Sequence, residues 1–206
     1  MKLLVLSGTP KTSGITYSFV TTAEMTAKEE GIECKTLHLV QLDLKKCKMC
    51  GEGWGICFNQ SINALGDEDG FYSIQKMMRE AGAFVYISPV HWGEISEDFK
   101  IFLDKLRRCR AAKQWDGDEE QATFLEGKPS ILVAVAGGGG GGILSALMDF
   151  QRAIEQMNGD QWPREHAGIF DYITVNSWNQ SYKREAFVNS LKKMFWFWRN
   201  KERSHE

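Results

Sequence analysis

Ser7-Gly8-Thr9-Pro10-Lys11-Thr12-Ser13-Gly14-Ile15-Thr16 follows directly on the apolar run Leu3-Leu4-Val5-Leu6. The run reads as a fully buried strand. Ile15, Phe19, Ala23 and Ala27 then recur at helical spacing. Between strand and helix lies a loop of small residues. That is the geometry in which backbone N–H groups and a helix N-terminus converge on an anion. Ser7, Thr9, Thr12, Ser13 and Thr16 add hydroxyls, and Lys11 adds a positive charge. The loop lacks the Gly-x4-Gly-Lys-Ser/Thr of a nucleotide-triphosphate loop. Its spacing from Gly8 to Gly14 also fails the Gly-x-Gly-x-x-Gly dinucleotide fingerprint. A cradle for a monophosphate remains, beside the plainer reading of a polar turn with no ligand.

The same alternation runs on to the end of the chain. Residues 32–39, 83–87, 130–136 and 169–175 are further predicted strands. Helices are predicted around Phe71, Ile74, Met78 and Ala81, and around Ile95, Phe99, Phe102, Leu103 and Leu106. Two more run through Leu147, Phe150, Ile154 and Met157, and through Phe187, Leu191, Met194 and Trp198. Five strands separated by helices predict an α/β fold, a doubly wound five-stranded parallel sheet with helices on both faces. In such sheets ligands bind beyond the carboxyl ends of the strands. Three unusual loops thereby acquire one address: residues 7–16, residues 88–94, and six consecutive glycines at 137–142.

A chain of 206 residues with 43% hydrophobic content is expected to form one domain with a sizeable core. A net charge of −2 gives no electrostatic case for nucleic acid or for a polybasic membrane patch. No apolar run approaches the ~20 residues of a membrane helix. A strand at the very amino terminus leaves no room for a signal peptide. Five cysteines, an odd number, do not fit a secreted disulfide framework. Together these predict a cytoplasmic protein.

The residues at this point resemble a known family. The chain is similar to the flavodoxin-like, NAD(P)H-dependent FMN reductases and to their relatives, the iron–sulfur flavoproteins. Residues 7–16 stand where the family has its FMN phosphate loop. Ser88-Pro89-Val90-His91-Trp92-Gly93 is close to the family's Ser-Pro-Val-Tyr-Trp-Gly beside the isoalloxazine. Ile95-Ser96-Glu97-Asp98-Phe99-Lys100-Ile101-Phe102-Leu103-Asp104-Lys105 continues it, similar to the family's Met-Ser-Ala-x-Leu-Lys-x-Phe-Ile-Asp-Arg. The glycine loop is the third match. The resemblance covers most of residues 1–150. His91 departs from the family's Tyr, and the six-glycine run from a loop with fewer glycines.

The resemblance implies FMN as cofactor and NAD(P)H as co-substrate. Ser7, Lys11, Ser13, Gly14, Ile15 and Thr16 would then hold the phosphate, with charge-assisted hydrogen bonds from Lys11 and the hydroxyls. Pro89, Val90, His91, Trp92 and Gly93 would lie along the ring, where Trp92 offers a face to stack on. Gly137, Gly138 and Gly139 would let backbone approach the ring without a Cβ. Flavin hydride chemistry needs no protein base, so no catalytic acid or base is named.

Cys47, Cys50 and Cys57 fall within eleven residues in a glycine-rich insertion at about 44–66. A cubane cluster or tetrahedral zinc normally takes four ligands. The iron–sulfur flavoproteins carry four cysteines, and their third would fall near Gly53. Three occupancies therefore stay open: reduced thiols in a remnant loop, a redox-active Cys47–Cys50 pair, or iron–sulfur or zinc with a non-cysteine fourth ligand. Cys34 and Cys109 are expected to be structural. Phe195-Trp196-Phe197-Trp198 places aromatics on every side of one helical turn, for a homodimer contact or for the domain's own core.

The expected function is an FMN-dependent NAD(P)H oxidoreductase delivering electrons to a small acceptor such as a flavin or quinone. An electron carrier like the iron–sulfur flavoproteins, without direct NAD(P)H activity, is the alternative. A flavin-free thiol sensor is a third reading, from a different class.

Overall fold

Leu3 and Val5 enter one core and Leu4 and Leu6 another, and all four are buried. This alternation is the period of a strand covered on both faces. The computed structural model describes residues 1–46, 70–116, 125, 128–157 and 169–203. Its elements run β1 (Lys2–Ser7), α1 (Gly14–Glu29), β2 (Glu33–His38), a 3₁₀ turn (Leu39–Gln41) and α2 (Phe71–Glu80). They continue with β3 (Ala83–His91), β4 (Glu94–Ile95), α3 (Glu97–Asp116), β5 (Ser130–Val135), α4 (Ile143–Met157), β6 (Ile169–Val175) and α5 (Gln180–Arg203).

Five strands form a parallel sheet in the order β2-β1-β3-β5-β6, and β4 pairs antiparallel with the end of β3. One core holds Leu4, Leu6, Phe84, Tyr86 and Leu132 under α2, α3 and α4. The other holds Leu3, Val5, Val85, Ile131 and Val133 under α1 and α5. The expected doubly wound fold is thus the observed one. The chain leaves β1 toward β2 on one side and reaches β3 on the other. The switch point, where such sheets bind ligands, therefore lies between β1 and β3. No described helix is long and apolar enough to cross a membrane.

One expectation is corrected. Residues 88–94 are not a loop: β3 continues through His91, turns at Trp92-Gly93 and returns as β4. Val90 pairs with Ile95 and His91 with Glu94. Pro89 is tolerated because it occupies the last rung of the β3–β5 ladder, opposite Val135. Ser88 Oγ accepts the Ser96 N–H at 2.9 Å and fastens the base of the hairpin.

The aromatic tail divides by helical period. Phe195 is fully buried, and Trp198 packs over Gly82, where a Cβ would lie 3.2 Å from the indole. Trp196 and Phe197 are exposed.

Candidate functional site

The exit of β1 is shaped by absent side chains and by hydroxyls. Gly8 donates its N–H to Ile87 O at 2.9 Å, which ties the loop to β3. A Cβ at Gly8 would collide with Ser96 Oγ and the Phe99 ring, so only glycine lets the chain pass α3 here. Ser7 is fully buried and its Oγ accepts the Thr9 N–H at 3.4 Å. Thr9 Oγ1 in turn accepts the Lys11 N–H at 3.3 Å. These two turns carry the chain up to Lys11, Thr12, Ser13 and Gly14, all exposed. Ile15 and Thr16 are half-buried in the first turn of α1.

Ser13 is the N-cap residue of α1, yet its hydroxyl makes no cap hydrogen bond. The first N–H groups of α1 are therefore not closed by that hydroxyl, and the positive end of the helix is open toward the loop. Exposed hydroxyls and one lysine surround it. That donor set fits a phosphate.

The β3–β4 hairpin stands on the other side of the switch point. Trp92 (φ 55°) and Gly93 (φ 82°) both lie in the left-handed region, which a two-residue hairpin turn of type I′ requires. For a tryptophan that conformation costs about 1–2 kcal/mol. Its side chain is 102% exposed, so no packing contact offsets the strain. Strain held without a packing reason is a marker of function. Trp92 is not a packing residue under the turn. Pro89 and Val90 are half-buried, Gly93 likewise, and His91 is exposed beside Trp92.

The glycine loop joins this hairpin. Gly142 (φ 78°) lies so close to Gly93 that a Cβ on it would collide with Gly93 Cα. Ser145 Oγ donates to Gly93 O and also reaches Gly142 O at 2.9 Å. Side chains at Gly137, Gly138 or Gly141 would meet nothing within 4 Å, so the loop presents bare backbone to open space. The structure therefore brings the hairpin and the glycine loop into contact, and holds the β1 loop against β3 through Gly8. A Cβ-free wall beside an open helix N-terminus fits the ring and the phosphate of FMN.

A fourth segment was not singled out from the sequence. Residues 176–179 follow β6 and touch the same glycine loop, with Ser177 N–H on Gly138 O at 3.3 Å. The paired Asn176 and Asn179 before a helical pattern were the available signal.

Cys47, Cys50 and Cys57 lie outside the described residues. Their flanks do not. Lys46 forms a 2.6 Å ion pair with Glu97 at the start of α3, and holds that carboxyl below its usual range. Gly70 (φ 71°) resumes the chain at the N-cap of α2. Among the described residues no group of three or more His, Cys, Asp or Glu is placed to hold a metal. Cys34 is half-buried, and burial, then the Glu24 charge, pushes its thiol up to about 12. At pH 8 its thiolate fraction falls about a thousandfold below that of an ordinary thiol. In a variant carrying serine at the other four cysteines, Cys34 is expected to resist Ellman's reagent at pH 8 while folded. Prompt reaction once unfolded in guanidinium completes the result, and prompt reaction of the folded chain would contradict it.

The chain is similar to several known proteins. The chain is 31% identical over 114 residues to an iron–sulfur flavoprotein of Methanocaldococcus jannaschii, covering 55% of this chain and 56% of that protein. A second iron–sulfur flavoprotein, from Methanosarcina thermophila, is 28% identical over 111 residues, 52% of this chain and 55% of the relative. The chain thus spans about half the length of the curated relatives it matches. The fold superposes on a putative quinone reductase from Klebsiella pneumoniae with TM-score 0.65 at 16% identity, covering 95% of this chain and 83% of that one. An FMN-dependent NADH-azoreductase from Bacillus anthracis gives TM-score 0.64 at 11% identity, covering 94% and 97%. Residues 1–158 match the family model of NADPH-dependent FMN reductases, and the chain belongs to that family.

Proposed function

We propose that this protein is an FMN-dependent NAD(P)H oxidoreductase that passes electrons to a small acceptor. The observation that carries the reading is the convergence of the open α1 N-terminus, the strained Trp92 hairpin and the glycine wall on one edge of the sheet. FMN, when bound, supplies hydride acceptance from the nicotinamide and electron delivery to the acceptor. Everything else falls to the chain. Lys11, Ser13 and Thr16, with the first N–H groups of α1, neutralise and orient the phosphate. Ser7 holds the loop in shape from beneath. Residues 89–93 and the glycines Gly137, Gly138 and Gly139 line the ring, where backbone N–H groups reach it because no Cβ intervenes. Trp92 shields one face from water.

A second reading is favoured by the flanks of the cysteine segment. Lys46, paired with Glu97 at the start of α3, and Gly70, at the start of α2, both stand toward the carboxyl edge of the sheet, on which the flavin site is proposed. An iron–sulfur flavoprotein-like carrier would use that proximity.

Protein purified without oxygen is expected to show flavin bands that bleach promptly with NADH or NADPH. A broad brown shoulder with no bleaching selects the carrier. A colourless chain that takes up no FMN defeats both readings. Lys11→Ala tests the phosphate assignment directly. Loss of one charge-assisted contact, about 1.5–3 kcal/mol, weakens FMN binding about 10- to 100-fold. Lys11 is exposed, so folding is unaffected. Unchanged FMN affinity would sink the assignment.

A further inference from the structure

We propose that Trp178 is the platform on which the planar ring of the electron acceptor stacks, a specificity-determining residue of this chain. The proposal rests on the reductase reading above. Trp178 is 82% exposed, an unusual position for so large an apolar surface. Its exposure does not come from a loose segment. Asn176 Oδ1 accepts the N–H groups of Trp178 at 2.9 Å and Asn179 at 3.0 Å, and Asn179 Oδ1 accepts the Asn176 N–H at 2.8 Å. The backbone at Trp178 is thereby fixed in a closed turn, outside residues 1–158 that match the family model.

Its neighbours define the site. A Cβ on Gly139 would lie 3.5 Å from the indole, so the ring rests along the backbone of the glycine loop. Gly142, three residues on, touches the Trp92 hairpin. The Cα atoms of Gly139 and Gly142 are at most about 11 Å apart. The Trp92-Gly93 turn and the Trp178 indole therefore meet the same glycine loop, three residues apart. Trp92 sits on the hairpin side, where the flavin ring is proposed, and Trp178 bounds the far side, where a second planar molecule would approach it.

No charged residue occurs in 176–179, so recognition there is by ring stacking. Such pairs contribute about 0.5–1.5 kcal/mol. For a p-quinone the overall reaction is NAD(P)H + H⁺ + quinone → NAD(P)⁺ + hydroquinone. Two electrons and one proton come from the nicotinamide hydride, and the second proton comes from water.

The test uses the full chain loaded with FMN, as parent, Trp178→Ala and Trp178→Phe. Menadione is the ring acceptor and ferricyanide the ringless one. In Trp178→Ala the KM for menadione is expected to rise about fivefold, with kcat, ferricyanide rate and FMN affinity unchanged. Trp178→Phe stays near the parent. Redox-inert 2-naphthol, titrated calorimetrically, loses affinity by the same factor. Four results overturn the proposal: an unchanged menadione KM, an equal loss with ferricyanide, a rise in the KM for NADH instead, or an altered oligomeric state. The last would show that a second copy covers the indole. If the parent reduces neither acceptor, the reductase reading fails, and the 2-naphthol titration decides Trp178 by itself.

Discussion

Gly142→Ala is expected to lower the thermal midpoint by about 5–15 °C and to weaken FMN binding at least about tenfold. Two penalties add at this position. With φ at 78°, any Cβ brings the left-handed strain of about 1–2 kcal/mol. The new methyl also collides with Gly93 Cα, and backbone cannot rotate out of the way as a side chain would. Overpacking of that kind costs about 1–3 kcal/mol more. Relief requires the glycine loop and the Trp92 hairpin to part, which also breaks the Ser145 bond to Gly93 O. Those two segments form the proposed wall for the flavin ring, so stability and affinity fall together. Gly141→Ala is the control. Its φ is not left-handed and its Cβ would meet nothing within 4 Å, so its thermal midpoint is unchanged or slightly raised. Equal midpoints for the two variants would mean that the hairpin and the loop do not touch.

The strands and helices were legible because each carries its own periodicity. The central strands β1, β3 and β5 are short apolar runs, the edge strands β2 and β6 alternate with polar residues such as Glu33, Lys35 and Asp171, and each amphipathic helix shows its buried stripe, such as Phe99, Phe102 and Leu106. The convergence of residues 7–16, 88–93 and 137–142 was legible through one topological rule. What the sequence hid has tertiary causes. Pro89 and the bulky Trp92 argue locally against a strand and a tight turn. Only pairing with β4 and the bond from Ser96 N–H to Ser88 Oγ make a hairpin of them. Trp178 carries no local ligand signal, because its meaning comes from Gly139, nearly forty residues earlier. The tail at 195–198 was ambiguous because four consecutive aromatics mask the period. Burial of Phe195 and the seat of Trp198 on Gly82 resolve it for half the residues, leaving Trp196 and Phe197 in contact with solvent.

Phe99→Ala is expected to destabilise the fold strongly, and its mechanism links the core to the site. The ring is fully buried, 4.8 Å from the Phe150 centroid at 88°, and 6.3 Å and 6.5 Å from those of Phe102 and Tyr86. Truncating such a side chain removes its transfer energy and leaves a cavity, for a loss of about 3–5 kcal/mol. For a chain of this size the midpoint then falls by roughly 6–20 °C. Phe102→Ala is expected to match that loss, since Phe102 is equally buried and packs on Phe71 and Phe99. The two variants part at the loop. Phe99 also fills the space at Gly8 where a side chain would start, so its ring holds the β1 exit in place. FMN affinity is therefore expected to drop in Phe99→Ala and to stay near the parent in Phe102→Ala. The link has a sharper signature in a double variant. Gly8→Ala alone forces its methyl against the Phe99 ring and Ser96 Oγ. In the Phe99→Ala background the cavity admits that methyl, and only the Ser96 hydroxyl has to turn aside. The double variant should then be more stable than the two losses summed, with a coupling of about 0.5–3 kcal/mol in chemical unfolding. Strict additivity would mean that the loop after β1 does not lean on Phe99.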